Sequence, residues 1–164
     1  MILGVTTLTF VHVVLSLIGI LSGLVVAYGF LAARRLNRCT AVFLTSTILT
    51  SVTGFFFPFH KFLPSHAVGI ISLSVLAIAV YARYGRKLAG GWRRTYVITA
   101  MVGLYLNVFV LVAQLFMKVP ALQALAPTQS EPPFVAAQIT VLLFFVALCV
   151  FAAIRFGNEQ LRTA

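Results

Sequence analysis

The feature that most constrains this chain is its division into long, nearly uncharged apolar segments separated by short polar or basic ones. An apolar run of about 20 residues can cross a bilayer as a helix, whereas a soluble core alternates apolar and polar positions. Of the 164 residues, 62% are hydrophobic and 9% are charged. Soluble domains have about 45–50% apolar and about 25% charged residues. The sequence therefore predicts an all-α membrane protein that forms a single integral domain over residues 1–164.

We predict a bundle of five membrane-spanning helices, bounded by prolines, glycines and basic residues. The expected spans are residues 8–33, 40–57, 66–81, 95–116 and 134–154. The first ten residues contain no Lys or Arg, and the first apolar run continues to residue 33. That run is too long for the apolar region of a signal peptide. We therefore interpret it as an uncleaved span.

Lysine and arginine are distributed very unequally between the two sides of this five-helix topology. Ten follow the first, third and fifth spans: Arg34, Arg35, Arg38, Arg83, Arg86, Lys87, Arg93, Arg94, Arg155 and Arg162. Only Lys61 and Lys118 fall on the other side. Basic residues of short loops are retained in the cytoplasm, so the N-terminus is predicted outside and the C-terminus in the cytoplasm. The compact chain without internal targeting signals favours a bacterial inner (cytoplasmic) membrane.

Several functional classes are not supported, because the chain lacks the residues or motifs that they require. The net charge of +10 does not indicate nucleic-acid binding, because the basic residues are spread between spans instead of covering one solvated face. The chain has no Asp, and its two glutamates, Glu131 and Glu159, lie outside the predicted spans, which argues against carboxylate proton relays and paired-carboxylate hydrolysis. It has no P-loop, HExxH or GxSxG motif. Cys39 and Cys149 belong to no CxxC pattern and are interpreted as packing residues.

The first span carries a stripe of small residues that predicts close helix packing. Gly19 and Gly23 form a GxxxG pattern, and Ser16 and Ala27 extend it in steps of three and four residues. Small residues allow the backbones of membrane helices to approach closely. His12 falls on the same side of the helix, about one turn before Ser16. We therefore expect His12 to point into the protein.

Polar side chains are predicted to gather in the outer half of the bundle. A histidine inside the hydrocarbon region is costly unless it is paired, which makes it a candidate for a functional site. The candidate cofactor-binding residues are His12, His66, Asn107, Gln114 and Gln138. The structural alternative is that each is a packing or capping residue with a hydrogen-bond partner inside the protein.

These residues are compatible with three cofactors. A b-type haem between His12 and His66 uses neutral imidazole as axial ligand, and a run of phenylalanines would wall it: Phe55, Phe56, Phe57, Phe59 and Phe62. A quinone would be held by His12, Gln114 or Gln138. Copper would be bound by His12, His60 and His66, with Met117 as a further ligand.

The sequence favours three functional classes in a definite order. The first is an accessory or assembly subunit of a membrane complex, with a membrane-protein partner or a second copy packed against it in the bilayer. The second is an electron-transfer protein that binds haem b, quinone or copper, since a redox role is compatible with its residues. The third is a small-solute channel or transporter, because the second span is rich in hydroxyls: Thr40, Thr45, Ser46, Thr47, Thr50, Ser51 and Thr53. Such hydroxyls can bond back to their own helix, so they are weak evidence for a site.

Overall fold

The computed structural model describes residues 6–57, 64–158 and 162–163, and nearly all of these residues are helical. In chain order the elements are α1 (Thr7–Leu31), β1 (Arg34–Arg35), α2 (Asn37–Gly54), α3 (Pro64–Val80) with a π-helical continuation (Tyr81–Gly85), α4 (Trp92–Lys118), α5 (Pro120–Leu125), α6 (Pro132–Asn158) and β2 (Arg162–Thr163). The predicted all-α class is confirmed for the described part of the chain.

Four of the described helices are long and apolar enough to cross a membrane. They cover Thr7–Leu31, Ser65–Gly85, Trp92–Lys118 and Pro132–Gly157. The helix α2 is not among them. It has 18 residues, begins with Asn37 and Arg38, and carries the hydroxyl-rich sequence, so its mean hydropathy is lower.

The helix α2 nevertheless runs antiparallel to α1 along the bundle. Near its start, Asn37 Oδ1 accepts a hydrogen bond of 2.7 Å from Arg83 in the π-helical turn. Near its end, Thr53 lies 2.9 Å from His12 in the first turns of α1. We call the first region the basic end of the bundle and the second the histidine end. The 18 residues of α2 span about 27 Å between them.

The helix α4 lies at the centre of the bundle and packs against α1, α2, α3 and α6. The contact between α1 and α2 is the most extensive one, and it depends on the small residues of α1. A Cβ atom added at Gly23 would lie 2.6 Å from Leu104 Cδ1 and 2.9 Å from Phe43 Cδ2. The predicted role of the small-residue stripe in close packing is thus confirmed.

The apolar core is concentrated toward the basic end. The largest fully buried apolar side chains there include Phe43, Tyr96 and Phe156. The Phe30 ring makes edge-on contacts with Tyr96 and with Phe156, at centroid distances of 5.3 and 5.1 Å. These rings fill the interior of the basic end.

Two features of the basic end differ from the sequence prediction. The predicted fifth span ends at residue 154, whereas α6 continues to Asn158 because the fully buried Phe156 holds its last turn in the core. The predicted third span ends at residue 81, but the π-helical turn continues to Gly85, and Arg83 within it is buried. Its guanidinium donates to Asn37 Oδ1 and to the Tyr96 hydroxyl, which explains why a charged side chain is tolerated there.

A short parallel ladder joins the α1–α2 connection to the segment after α6. Arg34 pairs with Arg162, and Arg35 pairs with Thr163. The sequence did not predict it, because two-residue strands carry no periodicity. The ladder brings the segment after α6 to the same end of the bundle as the α1–α2 connection.

Candidate functional site

A cavity of about 580 Å³ lies between α1, α2, α3 and α4 at the histidine end. Four of the five predicted cofactor-binding residues line it: His12, His66, Asn107 and Gln114. They come from α1, α3 and α4, so three separate helices supply the polar groups of one space. The sequence predicted all four in the outer half of the bundle, with Asn107 deeper than the others, and the fold brings them to the same cavity.

The wall of the cavity is mainly apolar and carries a set of hydroxyl groups. The hydroxyl residues are Thr9, Ser16, Thr47, Thr50, Ser51, Ser65 and Ser72. Among the described lining residues only Lys118, exposed at the end of α4, carries a permanent charge. Mostly apolar walls with a few placed polar groups are typical of small-molecule sites. The lining therefore suits an apolar ligand that carries neutral hydrogen-bonding groups.

His12 is oriented by a hydrogen bond across the α1–α2 contact. Its Nδ1 lies 2.9 Å from Thr53 Oγ1. The Thr53 hydroxyl also lies within hydrogen-bond distance of two backbone oxygens of its own helix, Leu49 O at 2.8 Å and Thr50 O at 3.1 Å. These contacts hold the hydroxyl in place and orient the imidazole, and the tautomer of His12 determines which of the two side chains donates.

His66 occupies a more enclosed position on α3. Its side chain is only 6% exposed, and its ring lies against Phe55 with a centroid distance of 5.8 Å and an interplanar angle of 39°. The His12 ring meets Phe57 edge-on at 5.2 Å. Phe55 and Phe57 therefore do line the site, as the sequence suggested, but each packs on an imidazole. Phe59 and Phe62 lie outside the described residues.

Asn107 links α4 to α1 near the middle of the bundle. Ser16 Oγ donates to Asn107 Oδ1 at 2.8 Å, and Asn107 Nδ2 donates to the backbone oxygen of Ser16 at 3.4 Å. The buried amide thus has partners for both of its polar atoms. Such a pair stabilises the helix contact and holds the amide at the edge of the cavity.

Gln138 is the predicted site residue that the fold places elsewhere. Its Nε2 donates to Phe109 O at 3.2 Å, between α6 and α4, and it is absent from the cavity lining described above. Its Oε1 is buried and has no partner within the described ranges. The direction in which Gln138 points depends on how α6 packs against α4, which no local pattern in the sequence determines.

The copper site depends on a residue that lies outside the described ranges, His60. Within residues 6–57, 64–158 and 162–163, no three His, Cys, Asp or Glu side chains come together in a way that could hold a metal ion. Met117 is exposed and does not belong to the cavity lining. The described residues therefore supply two histidines to the cavity, His12 and His66, and no third ligand.

Thr47 is a lining residue that the sequence did not single out. It is 1% exposed, and its Oγ1 has no hydrogen-bond partner among the described residues. The sequence shows seven hydroxyls on α2 and offers no signal that separates this one from the others. The distinction between Thr47 and the other hydroxyl residues appears only in the folded structure, where α1 packs on α2.

Comparison with known proteins assigns no family to this chain. No protein-family model, no curated protein and no solved structure matches it. Function therefore has to be argued from the chemistry of the site itself.

Proposed function

We propose that this protein is an integral membrane protein with five spans that binds a lipid-soluble redox cofactor of the quinone class in the cavity at its histidine end. The observation that carries the proposal is the convergence of His12, Asn107, Gln114 and the hydroxyl groups on one mainly apolar cavity. The apolar ring and tail of a quinone fit the apolar walls of the cavity, and the two ring oxygens can pair with its neutral hydrogen-bonding side chains.

The position of α2 supports the five-span topology. It begins beside Arg83 at the basic end and ends beside His12 at the histidine end, so it covers the height of the bundle. Tyr81, Tyr84 and Trp92, at the basic end, form the kind of aromatic belt that marks a membrane boundary. With the basic residues retained in the cytoplasm, the histidine end faces the outside.

Single-cysteine labelling tests this topology. In a Cys39→Ser, Cys149→Ser background, cysteines are introduced singly at three exposed positions, Arg38, Arg86 and Gln123. A membrane-impermeant maleimide should label Gln123→Cys in intact spheroplasts, and Arg38→Cys and Arg86→Cys only after permeabilisation. Labelling of Arg38→Cys and Arg86→Cys from opposite sides would show that α2 does not cross the bilayer.

Binding of a quinone tests the cofactor. The purified protein in nanodiscs should bind a short-tailed para-benzoquinone analogue saturably, and His12→Ala should weaken this binding about fivefold or more, because one hydrogen bond contributes about 1 kcal/mol. Ser74→Ala is the matched control, since Ser74 is exposed on α3 and bonds to Ile70 O of its own helix. A wild-type protein that binds neither the oxidised nor the reduced analogue would refute the proposal.

A b-type haem is the second candidate, and a specific observation favours it. His12 and His66 lie on different helices and line the same cavity, and a metal-ligating histidine commonly has a hydrogen-bond partner at its other nitrogen, as His12 has in Thr53. Two observations make haem the weaker fit. The His66 ring packs against Phe55, and Lys118 is the single cation among the described lining residues, whereas a haem carries two propionates. A Soret band in the purified protein that is lost in His66→Ala would establish haem in place of quinone.

The role of accessory subunit stays a prediction, and α6 supports it. Only 11% of the apolar window of α6 is buried, against 39% for α4. A nearly uncovered apolar helix offers a surface to another membrane protein or to a second copy, although lipid can cover it as well. Native mass spectrometry of the protein extracted in mild detergent would detect such an assembly. A channel function likewise stays a prediction, with no further support from the described residues.

A further inference from the structure

A cation–π contact at the basic end holds an exposed arginine in a defined position. The guanidinium of Arg86 lies over the Trp92 ring, 5.4 Å from the ring centroid. The Tyr81 ring meets Trp92 edge-on, with a centroid distance of 5.4 Å. Arg86 and Tyr81 are exposed. An arginine that is already oriented by a ring loses little side-chain freedom when it binds an anion.

The backbone that carries Arg86 is held by the core beneath it. Arg86 N donates to Tyr81 O at 2.9 Å, and Leu88 N donates to Ala82 O at 3.1 Å. Leu88 is buried and belongs to the apolar core. Gly85 leaves room for the Tyr81 ring, because a Cβ atom there would lie 2.8 Å from Tyr81 Cδ2. The turn therefore presents Arg86 at a fixed place on the surface.

The surface around this turn is strongly positive. Lys87 follows Arg86 directly and is exposed as well. The one carboxylate among the described residues, Glu131, lies just before α6, at the opposite end of the bundle. An anion is therefore attracted to the basic end, and a cation is repelled. The basic residues described at this end are Arg34, Arg35, Arg38, Arg83, Arg86, Lys87, Arg93, Arg94 and Arg155.

An exposed, mainly apolar track leads from this turn along α3 toward the middle of the bundle. Its residues are three or four positions apart and share one face of the helix: Ile71, Ser74, Ile78 and Tyr81. The track is about 15 Å long, which is half of a hydrocarbon core of about 30 Å. This length corresponds to one leaflet, so one lipid acyl chain can cover it. The cations and the track thus match the two parts of a phospholipid.

We infer that the basic end binds a phospholipid of net negative charge, with its phosphate paired with Arg86, its headgroup beside Lys87 and Trp92, and one acyl chain along the track on α3. A planar guanidinium can donate two parallel hydrogen bonds to a phosphate. Trp and Tyr side chains favour the headgroup level of a bilayer. A zwitterionic headgroup would place a second cation near Lys87 and fits less well. This site is separate from the cavity at the histidine end and does not depend on the cofactor proposed there.

Native mass spectrometry of the purified full-length protein tests the site. The protein is delipidated in mild detergent and supplied with equal amounts of phosphatidylglycerol and phosphatidylcholine that carry the same acyl chains. The wild type should retain phosphatidylglycerol about fivefold better, and Arg86→Gln should lower this retention about fivefold. Arg86→Lys keeps the charge but loses the planar group over Trp92, so it should lower retention about twofold. Arg38→Gln is the matched control, because Arg38 is exposed at the same end and the net charge changes equally.

The outcomes separate a defined site from general attraction. Equal losses in Arg86→Gln and Arg38→Gln, or equal retention of the two lipids by the wild type, would overturn the inference. Wild-type retention in Arg86→Lys would overturn the role of the Trp92 contact. Should Arg86→Gln fail to fold, Lys87→Gln replaces it with the same expectation, and full retention in that variant overturns the site.

Soluble glycerol phosphate distinguishes a lipid from a free phosphate. In excess it should leave the bound phosphatidylglycerol in place, because the acyl chain contributes through the track on α3. Displacement of the lipid by glycerol phosphate would show that the phosphate alone is recognised and would overturn the role of α3.

Discussion

His12 on α1 and Thr53 on α2 are joined by a 2.9 Å hydrogen bond between Nδ1 and Oγ1 at the outer edge of the cavity. The two residues are 41 positions apart in the chain. The bond fixes both the orientation of the imidazole and the nitrogen that faces the ligand. The packing of α1 on α2 therefore determines how His12 is presented to the proposed ligand.

Removing this contact should weaken ligand binding without removing the imidazole. In Thr53→Val the His12 ring loses its hydrogen-bond partner and its fixed orientation, and affinity for the para-benzoquinone analogue is expected to fall about fivefold, corresponding to about 1 kcal/mol. Thr53→Ser keeps the hydroxyl and should retain wild-type affinity. Isothermal titration of the three proteins measures the effect. Equal affinities in all three would show that Thr53 does not position His12.

Close packing of α1 against α2 and α4 should make Gly23 intolerant of a side chain. In Gly23→Ala the new methyl meets Leu104 and Phe43, both nearly fully buried, and overpacking of this kind costs about 1–3 kcal/mol. Gly91→Ala is the matched control, since an added Cβ there has no atom within 4 Å. Thermal melting followed by circular dichroism should show a lower Tm for Gly23→Ala only. An unchanged Tm in Gly23→Ala would contradict the packing described for α1.

The buried Arg83 should be important for the stability of the basic end. Its guanidinium donates to Asn37 on α2 and to Tyr96 on α4, and it lies over the Tyr96 ring at 5.3 Å. Arg83→Ala should lower the free energy of unfolding by roughly 1–3 kcal/mol, because hydrogen bonds to a charged donor and a stacking contact are lost together. Urea unfolding in detergent measures the change, with the exposed Arg38→Ala as control. Equal stability of the two variants would argue against a structural role for Arg83.

The connection between α5 and α6 should depend on pH through Glu131. Loss of hydration raises the pKa of Glu131, but hydrogen bonds from the Thr128 hydroxyl and from backbone N–H groups outweigh this and hold the pKa below its ordinary value. The carboxylate therefore stabilises the segment fully above its ordinary pKa, and this contribution is lost as the pH falls through the lowered pKa.

Hydrogen exchange of residues 126–131, corrected for intrinsic rates, tests this dependence. At neutral pH the segment should be better protected in the wild type than in Glu131→Gln. The difference between the two proteins should disappear in acid, when the wild-type carboxyl is protonated. A difference that persists unchanged in acid would contradict the assigned role of the charge.

Much of the helical framework follows from local sequence. The apolar runs identify α1, α4 and α6 because a bilayer requires every backbone group to be bonded within the helix. Their ends are less well defined: α6 extends past Arg155 because Phe156 packs in the core, and the turn after α3 is helical because Arg83 finds partners on two other helices. Such contacts join residues that are distant in the chain, and no local pattern contains them.

The sequence singled out the polar residues of the candidate cavity but not the direction in which each side chain points. His12, His66, Asn107 and Gln114 reach one cavity, whereas Gln138 turns toward α4. Thr45 and Thr47 are two residues apart and equivalent in the sequence, yet Thr45 is exposed, whereas the Thr47 hydroxyl is buried and has no partner among the described residues. Rotation of a helix about its axis is set by its neighbours.

The sequence by itself determined that the chain forms apolar helices, that the arginines of the described segments gather at one end and that His12 and His66 lie toward the other, because hydropathy and charge act residue by residue against the solvent. The tertiary structure decided which nitrogen of His12 contacts Thr53 and which buried hydroxyl of α2 lacks a partner among the described residues. These properties arise from contacts between helices, which depend on packing in three dimensions.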